Sequence, residues 1–172
     1  MKLKFSHILF FLIIYLPALG QEKLSLYKES KIKIINLTVD QNPNNFPLLT
    51  FSLLNNTRKD IIFTKLLLNL HYFKKHPLSS TSNNKLESKE LKPIGTWDLD
   101  LPEDVNTYLY TSKYPIKIAS NDAATIQIRL FSNLKGKVYV PTQLGVYKFT
   151  LTFITYDNKG VQSSIISLGD HL

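Results

Sequence analysis

The stretch TQLGVYKFTLTFITYDNKGVQ, residues 142–162, decides the fold. Its large apolar side chains alternate with polar ones: Tyr147, Phe149, Leu151 and Phe153 share one phase, and Lys148, Thr150 and Thr152 share the other. A period of two is typical of a strand with one buried face. Residues 157–160 (DNKG) favour a turn, because Asp and Asn tolerate left-handed backbone and Gly adopts positive φ without steric cost. We therefore predict a C-terminal hairpin in which VQSSIISL, residues 161–168, is the returning strand.

Short strands are also predicted along most of the remaining chain. In KIKIINLTV, residues 31–39, the apolar phase slips by one residue, which predicts a bulge near Ile34 and Ile35. Residues 49–53 and 126–130 alternate cleanly. Residues 61–73 fit a helix as well as a strand, but their β-branched start and neighbouring strands favour a strand. In that strand Ile62, Leu66, Leu68, Leu70 and Tyr72 would share one face.

A short motif at the start of the quoted strand resembles one family of folds. The spacing Leu-Gly-x-Tyr-x-Phe, residues 144–149, is similar to the start of the penultimate strand in immunoglobulin-like or fibronectin III-like sandwiches. The resemblance implies an all-β, antiparallel immunoglobulin-like sandwich. It also implies that Tyr147 is a structural anchor whose hydroxyl bonds nearby backbone, with Phe149 where such domains often carry cysteine. Trp97 is then the candidate core tryptophan.

The first 20 residues have the three parts of a secretory signal peptide. Lys2 and Lys4 precede an apolar run at residues 8–16, and Ala18-Leu19-Gly20 offers small residues for cleavage. The alternative, an uncleaved anchor, requires about 20 apolar residues, and this run is shorter. We predict cleavage after Gly20, a secreted or periplasmic protein and no stable membrane insertion afterwards. Residues 21–172 would form a single β-sandwich domain.

The composition predicts a domain held together by its core alone. The chain has no cysteine, and its formal charge of +8 comes from lysines that are scattered rather than clustered. Scattered charge indicates a solvated surface, so we expect no nucleic-acid partner. Residues 75–93 are polar and nearly free of large apolar side chains, which predicts a flexible loop.

Motifs for common enzyme chemistry are absent from the sequence. There is no His-Glu-x-x-His metal motif, no Gly-x-Ser-x-Gly elbow and no phosphate-binding glycine loop. The histidines lack ligand spacing, and Ser163 and Ser164 are expected to face solvent in the returning strand. We therefore predict a protein that is not an enzyme.

Two groups of residues remain as candidate sites. Tyr108, Tyr110 and Trp97 could form an aromatic platform that contacts sugar rings or protein, although ordinary core packing is the simpler interpretation. Asp98, Asp100, Glu103 and Asp104 have the ligand types that calcium prefers, or could act as hydrolytic carboxylates, although a solvated strand face is simpler. No cofactor is expected apart from that possible calcium.

Two Asn-x-Thr sequons begin at Asn36 and Asn55, and the turn position makes Asn55 the better glycosylation candidate. Taken together, the sequence predicts an exported, non-enzymatic binding or structural module that contacts protein or glycan at the cell envelope. The alternatives are a carbohydrate-binding module that uses its exposed aromatics, and a hydrolase with carboxylates at residues 98–104.

Overall fold

The computed structural model describes residues 24–42, 45–77, 89 and 97–169. The predicted signal peptide and most of the predicted loop at 75–93 lie outside these residues. The described chain is all-β, as predicted, with two sheets. Its elements are β1 (Ser25–Leu26), β2 (Ile32–Asp40), β3 (Leu48–Asn55), β4 (Ile61–Lys75), β5 (Trp97–Asp100), β6 (Thr107–Ile118), β7 (Asp122–Leu134), β8 (Lys137–Tyr139), helix α1 (Pro141–Leu144), β9 (Gly145–Thr155), β10 (Lys159–Gln162) and β11 (Ile166–Leu168).

The two sheets have different strand orders. The first sheet runs β1-β10-β9-β4-β6, and β11 also pairs with β9. The second runs β2-β3-β7-β5, and β8 also pairs with β7. All pairs are antiparallel except β1 with β10 and β5 with β7. Within the described part of the chain, no helix is long and apolar enough to cross a membrane.

The core lies between the sheets and is closed by aromatic side chains. Phe153 of β9 stands edge-on to Phe51 of β3, with ring centroids 5.0 Å apart, and to Phe63 of β4 at 5.9 Å. Because Phe51 and Phe153 belong to different sheets, this contact joins the two layers. The predicted inward faces of β3, β7 and β9 are confirmed: their buried apolar residues are Leu49, Phe51, Leu53, Ile126, Ile128, Leu130, Tyr147, Phe149, Leu151 and Phe153.

Bulges decide which side chains of β2 and β4 reach the core. The predicted bulge in β2 is confirmed, since the register shifts between Ile34 and Asn36 and leaves Ile35 half exposed. Strand β4 has two shifts that the sequence did not reveal, between Phe63 and Lys65 and between Leu70 and Tyr72. Each shift reverses the phase of the side chains.

The phase prediction for the ends of β4 was consequently wrong. Ile62 and Tyr72 are exposed, whereas Phe63 is fully buried. The middle of the strand behaves as predicted, with Leu66 and Leu68 in the core. The choice of a strand over a helix for this segment is confirmed.

The returning segment of the C-terminal hairpin breaks into β10 and β11 at Ser163. The Ser163 Oγ accepts a hydrogen bond from the Leu151 amide at 3.0 Å, while the Ser163 amide donates to the Leu151 carbonyl at 2.8 Å. Ser163 is therefore buried, against our prediction that it faces solvent, whereas Ser164 is exposed as predicted. At such a break, a serine hydroxyl can accept the hydrogen bond that a backbone carbonyl of the partner strand would otherwise accept.

Tyr147 is fully buried, and its ring packs against Phe73 with centroids 4.7 Å apart. Burial raises the pKa of this phenol, and the Ser132 side chain acts in the opposite direction. The Ser132 hydroxyl donates to the Leu101 carbonyl at 2.6 Å. Among the described residues, the Tyr147 hydroxyl has no hydrogen-bond partner, so the backbone bond implied by the resemblance is absent there.

Tyr147→Phe is expected to leave the protein as stable as the wild type or more stable. The substitution removes a buried hydroxyl without a partner, whose desolvation costs about 1–3 kcal/mol, and keeps the ring contact with Phe73. Urea unfolding of the two proteins measures the difference. A loss of more than about 1 kcal/mol would show that the hydroxyl bonds the backbone, as in a tyrosine corner.

Candidate functional site

A cleft opens where edge strands of the two sheets lie side by side. Among the described strands, β5 pairs only with β7 and β6 only with β4. Two side chains span the gap: the Tyr110 hydroxyl donates to the Asp100 carbonyl at 2.6 Å, and the Trp97 indole Nε1 donates to the Tyr114 carbonyl at 3.0 Å. Two depressions of about 360 and 390 Å³ lie here, and both are lined by Trp97 and Tyr114.

Trp97 is positioned from the core side. It lies on the inward phase of β5 with Leu99, which is buried, and its ring centroid is 6.4 Å from that of Phe153. The indole remains half-buried, so part of it lines the cleft. Its N–H is already bonded to Tyr114, which leaves the ring as the surface available to a ligand.

Tyr114 is held outward by a wide bulge in β6. Ile116 pairs with Phe63 and Thr111 with Lys65, so residues 112–115 lie opposite Thr64 alone. Ser112 Oγ closes the bulge, since it donates to the Tyr114 carbonyl at 2.8 Å and accepts from the Tyr114 amide at 2.9 Å. The Tyr114 residue is 76% exposed. Tyr114 was not among the aromatic residues predicted from the sequence, although the adjacent Pro115, which lacks an N–H, signals an interrupted strand ladder.

Tyr108 and Tyr110 are half-buried and packed against the core. Desolvation raises the pKa of Tyr108 to about 12, with further contributions from Asp104 and Asp100. Burial also raises the pKa of Tyr110. Both phenols are therefore neutral at physiological pH. Tyr110 lines the 360 Å³ depression, and the cleft thus contains two of the three aromatic residues that the sequence proposed.

The four acidic residues interact with different partners. Asp98 forms an ion pair with Arg129 at 2.7 Å, and Glu103 lies 3.5 Å from Lys75. Asp100 accepts from the Asn133 amide at 2.9 Å, and burial raises its pKa while that hydrogen bond opposes the rise. Asp104 interacts with Tyr108. Within the described residues, no group of three or more His, Asp or Glu side chains is arranged to hold a metal ion.

Asn55 has a structural role that the sequence did not reveal. The residue is fully buried, and its amide Nδ2 donates to the carbonyl oxygens of Lys59, Ile118 and Ala119 at 2.9, 3.2 and 2.9 Å. Its Oδ1 accepts from the amide and the hydroxyl of Thr57. A glycan cannot be attached to a side-chain amide that is buried with these contacts. The folded domain is therefore incompatible with glycosylation at Asn55, the sequon that we preferred, whereas Asn36 is exposed.

Comparison with known proteins gives no relative for this chain. No protein-family model, no curated protein and no solved structure matches it. The functional interpretation therefore depends on the geometry of the cleft and of the surrounding surface.

Proposed function

We propose that this protein is an exported, non-enzymatic binding module that contacts protein or glycan at the cell envelope, after cleavage of residues 1–20. The observation that carries this proposal is the exposed Tyr114, whose backbone is fixed by the Ser112 hydroxyl in the bulge of β6 and by the Trp97 indole N–H. An aromatic side chain has few rotatable bonds, so it loses little conformational entropy on binding while it buries a large area. Together with Trp97 and the two depressions that both residues line, the exposed Tyr114 ring offers a surface for recognition.

The strand order supports an immunoglobulin-like version of the sandwich. The order β10-β9-β4-β6 corresponds to G-F-C-C′, and β2-β3-β7 corresponds to A-B-E. One strand departs from that pattern, since β5 is parallel to β7. In this assignment Trp97 lies on β5 rather than on strand C.

A carbohydrate ligand is the second candidate, and the geometry of Trp97 favours it. The indole N–H is satisfied inside the protein, and two shallow depressions lie on either side of the Trp97 and Tyr114 pair. Aromatic rings of this kind can stack on the apolar face of a sugar ring. The hydrolase alternative has less support, because Asp98 is engaged by Arg129 and Asp100 by the Asn133 amide.

Tyr114→Ala is expected to abolish or weaken binding at least about tenfold, because an aromatic anchor of a binding surface contributes about 1.4 kcal/mol or more. Its melting temperature should remain within a few degrees of the wild type, since the residue is mostly exposed. The measurement is binding of the mature domain to a glycan array and to native envelope proteins, by wild type and variant in parallel.

Tyr72→Ala provides the matched control. Tyr72 is also an exposed tyrosine, but it lies toward the far end of β4 and contacts Lys148. We expect this variant to bind like the wild type. Equal binding by the wild type and Tyr114→Ala would exclude the cleft as the binding surface.

A further inference from the structure

A second concave surface lies at one end of the sandwich, among loops that the cleft does not include. The connection between β1 and β2, the loop at residues 56–60 and the turn at residues 156–158 line a depression of about 760 Å³. Four basic residues, Lys31, Arg58, Lys59 and Lys159, line it together with the exposed Tyr156. This end therefore combines positive charge with an exposed ring.

The positive charge in the depression is not neutralised by its own acids. Asp60 is already paired with Lys117 at 2.7 Å, and Asp157 with Lys159 at 2.6 Å. Lys31, Arg58 and Lys59 are exposed and have no ion-pair partner among the described residues. The chain keeps a formal charge of +6 once Lys2 and Lys4 are removed with the predicted signal peptide, so its field also attracts anions to this surface.

Hydrogen bonds hold the loop that carries Arg58 and Lys59 in place. The buried Asn55 side chain donates from Nδ2 to the Lys59 carbonyl and accepts through Oδ1 from the Thr57 backbone amide. The Asn56 amide donates to the Lys31 carbonyl at 2.7 Å, which ties this loop to the segment that carries Lys31. The backbone that carries these cations is therefore already ordered. A ligand that binds there loses little affinity to the conformational entropy of ordering these loops.

The turn that carries Tyr156 is also tied down. The Thr155 Oγ1 donates to the Lys159 carbonyl at 2.9 Å across the turn, and the Lys159 amide lies 3.2 Å from the same hydroxyl. Tyr156 itself is 86% exposed. Its ring offers a planar face beside the cations, where a sugar ring can stack.

We propose that this depression is a binding site for an acidic saccharide, whose carboxylate or sulfate groups pair with Arg58, Lys59 and Lys31 while one sugar ring packs on Tyr156. Arg58 suits this role because its guanidinium can bind a carboxylate or sulfate through two parallel hydrogen bonds. The surface is concave and localised at the end of the sandwich. This shape favours a discrete ligand over a flat bilayer, and over a nucleic-acid strand that needs a longer basic track. The site is independent of the Trp97 and Tyr114 cleft.

The test is a titration of the mature protein with an oligogalacturonate hexamer and a heparin-derived hexasaccharide, with maltohexaose as the neutral probe. We expect saturable binding to at least one acidic probe, weakening as salt is raised, and no binding to maltohexaose. Arg58→Ala, Lys59→Ala and Tyr156→Ala should each weaken the binding about threefold to tenfold. All three residues are exposed, so thermal melts of the variants should match the wild type.

Two control variants test whether binding depends on this depression rather than on the overall positive charge or on exposed rings elsewhere on the surface. Lys135→Ala removes an exposed lysine from the β7–β8 turn and should leave acidic-saccharide binding unchanged. Tyr72→Ala removes an exposed ring that does not line this depression and should also leave acidic-saccharide binding unchanged. The proposal is overturned by equal loss in Lys135→Ala, by no effect of Arg58→Ala and Tyr156→Ala, or by no binding to either acidic probe. Tighter binding to a single-stranded oligonucleotide or to phosphatidylserine vesicles would overturn it as well.

Discussion

Phe153→Ala should destabilise the protein by about 3–5 kcal/mol, the usual cost of deleting a buried phenylalanine ring. Phe153 is fully buried and its ring contacts Phe51, Phe63 and Trp97. Because these partners come from both sheets, the cavity would open at the joint between the layers. Urea unfolding followed by circular dichroism measures the loss.

Lys148→Ala is the control on the same strand. Lys148 points outward and is exposed, so this change should cost less than about 0.5 kcal/mol. Its contact with the Tyr72 ring is at the surface and adds little. If Phe153→Ala and Lys148→Ala unfolded at the same urea concentration, the packing of the two sheets through Phe153 would be contradicted.

The second large effect is expected for Asn55→Asp, at about 3 kcal/mol or more. The ionised carboxylate has no donor, yet it would face the carbonyl oxygens of Lys59, Ile118 and Ala119. Three carbonyl oxygens would lose this donor, although the Lys59 carbonyl keeps the Thr57 hydroxyl, and a charge would be placed in a fully buried position. Thermal unfolding of the wild type and the variant measures this loss.

Asn56→Asp makes the same chemical change one residue later. Asn56 is exposed, and its backbone amide donates to the Lys31 carbonyl, whereas its side chain has no hydrogen bond to any residue that the structure describes. We expect a stability change below about 0.5 kcal/mol. Similar melting temperatures for the two variants would mean that Asn55 does not organise the loops around it.

Alternation along the chain was sufficient to predict the strands and the inner face of the central strands. In β9 every second residue from Tyr147 to Phe153 is fully buried, because a strand with one apolar face must direct that face to the core. The outward face was less predictable. Thr150 and Thr152 are also buried, since β9 lies inside its sheet with β4 and β10 on either side.

Bulges account for most of what the sequence did not reveal. A bulge depends on the register between strands that are distant in sequence, and the bulges of β4 and β6 left no phase slip in the strand's own pattern. The exposure of Ile62 and Tyr72 in β4 has this origin, and so does the projection of Tyr114 from β6. In β2 the apolar phase slips within the strand itself, so the bulge beside Ile35 was predictable.

The candidate site was predicted only in part for the same reason. Trp97 and Tyr110 do line the cleft, but the more exposed ring, Tyr114, was not part of the prediction. The acidic residues at 98–104 are close in sequence, yet their partners Arg129, Asn133 and Lys75 lie on other strands. Sequence proximity does not show which partner a carboxylate will take.

The central claim, that the cleft between β5 and β6 binds a ligand, can be tested through the single tryptophan of the chain. Trp97 lines both depressions, so its fluorescence reports on this cleft. We predict that titration with a glycan or envelope protein retained by the mature domain shifts the Trp97 emission saturably, and that Tyr114→Ala loses the shift. Binding that leaves the emission unchanged, with equal affinity in Tyr114→Ala, would contradict the claim.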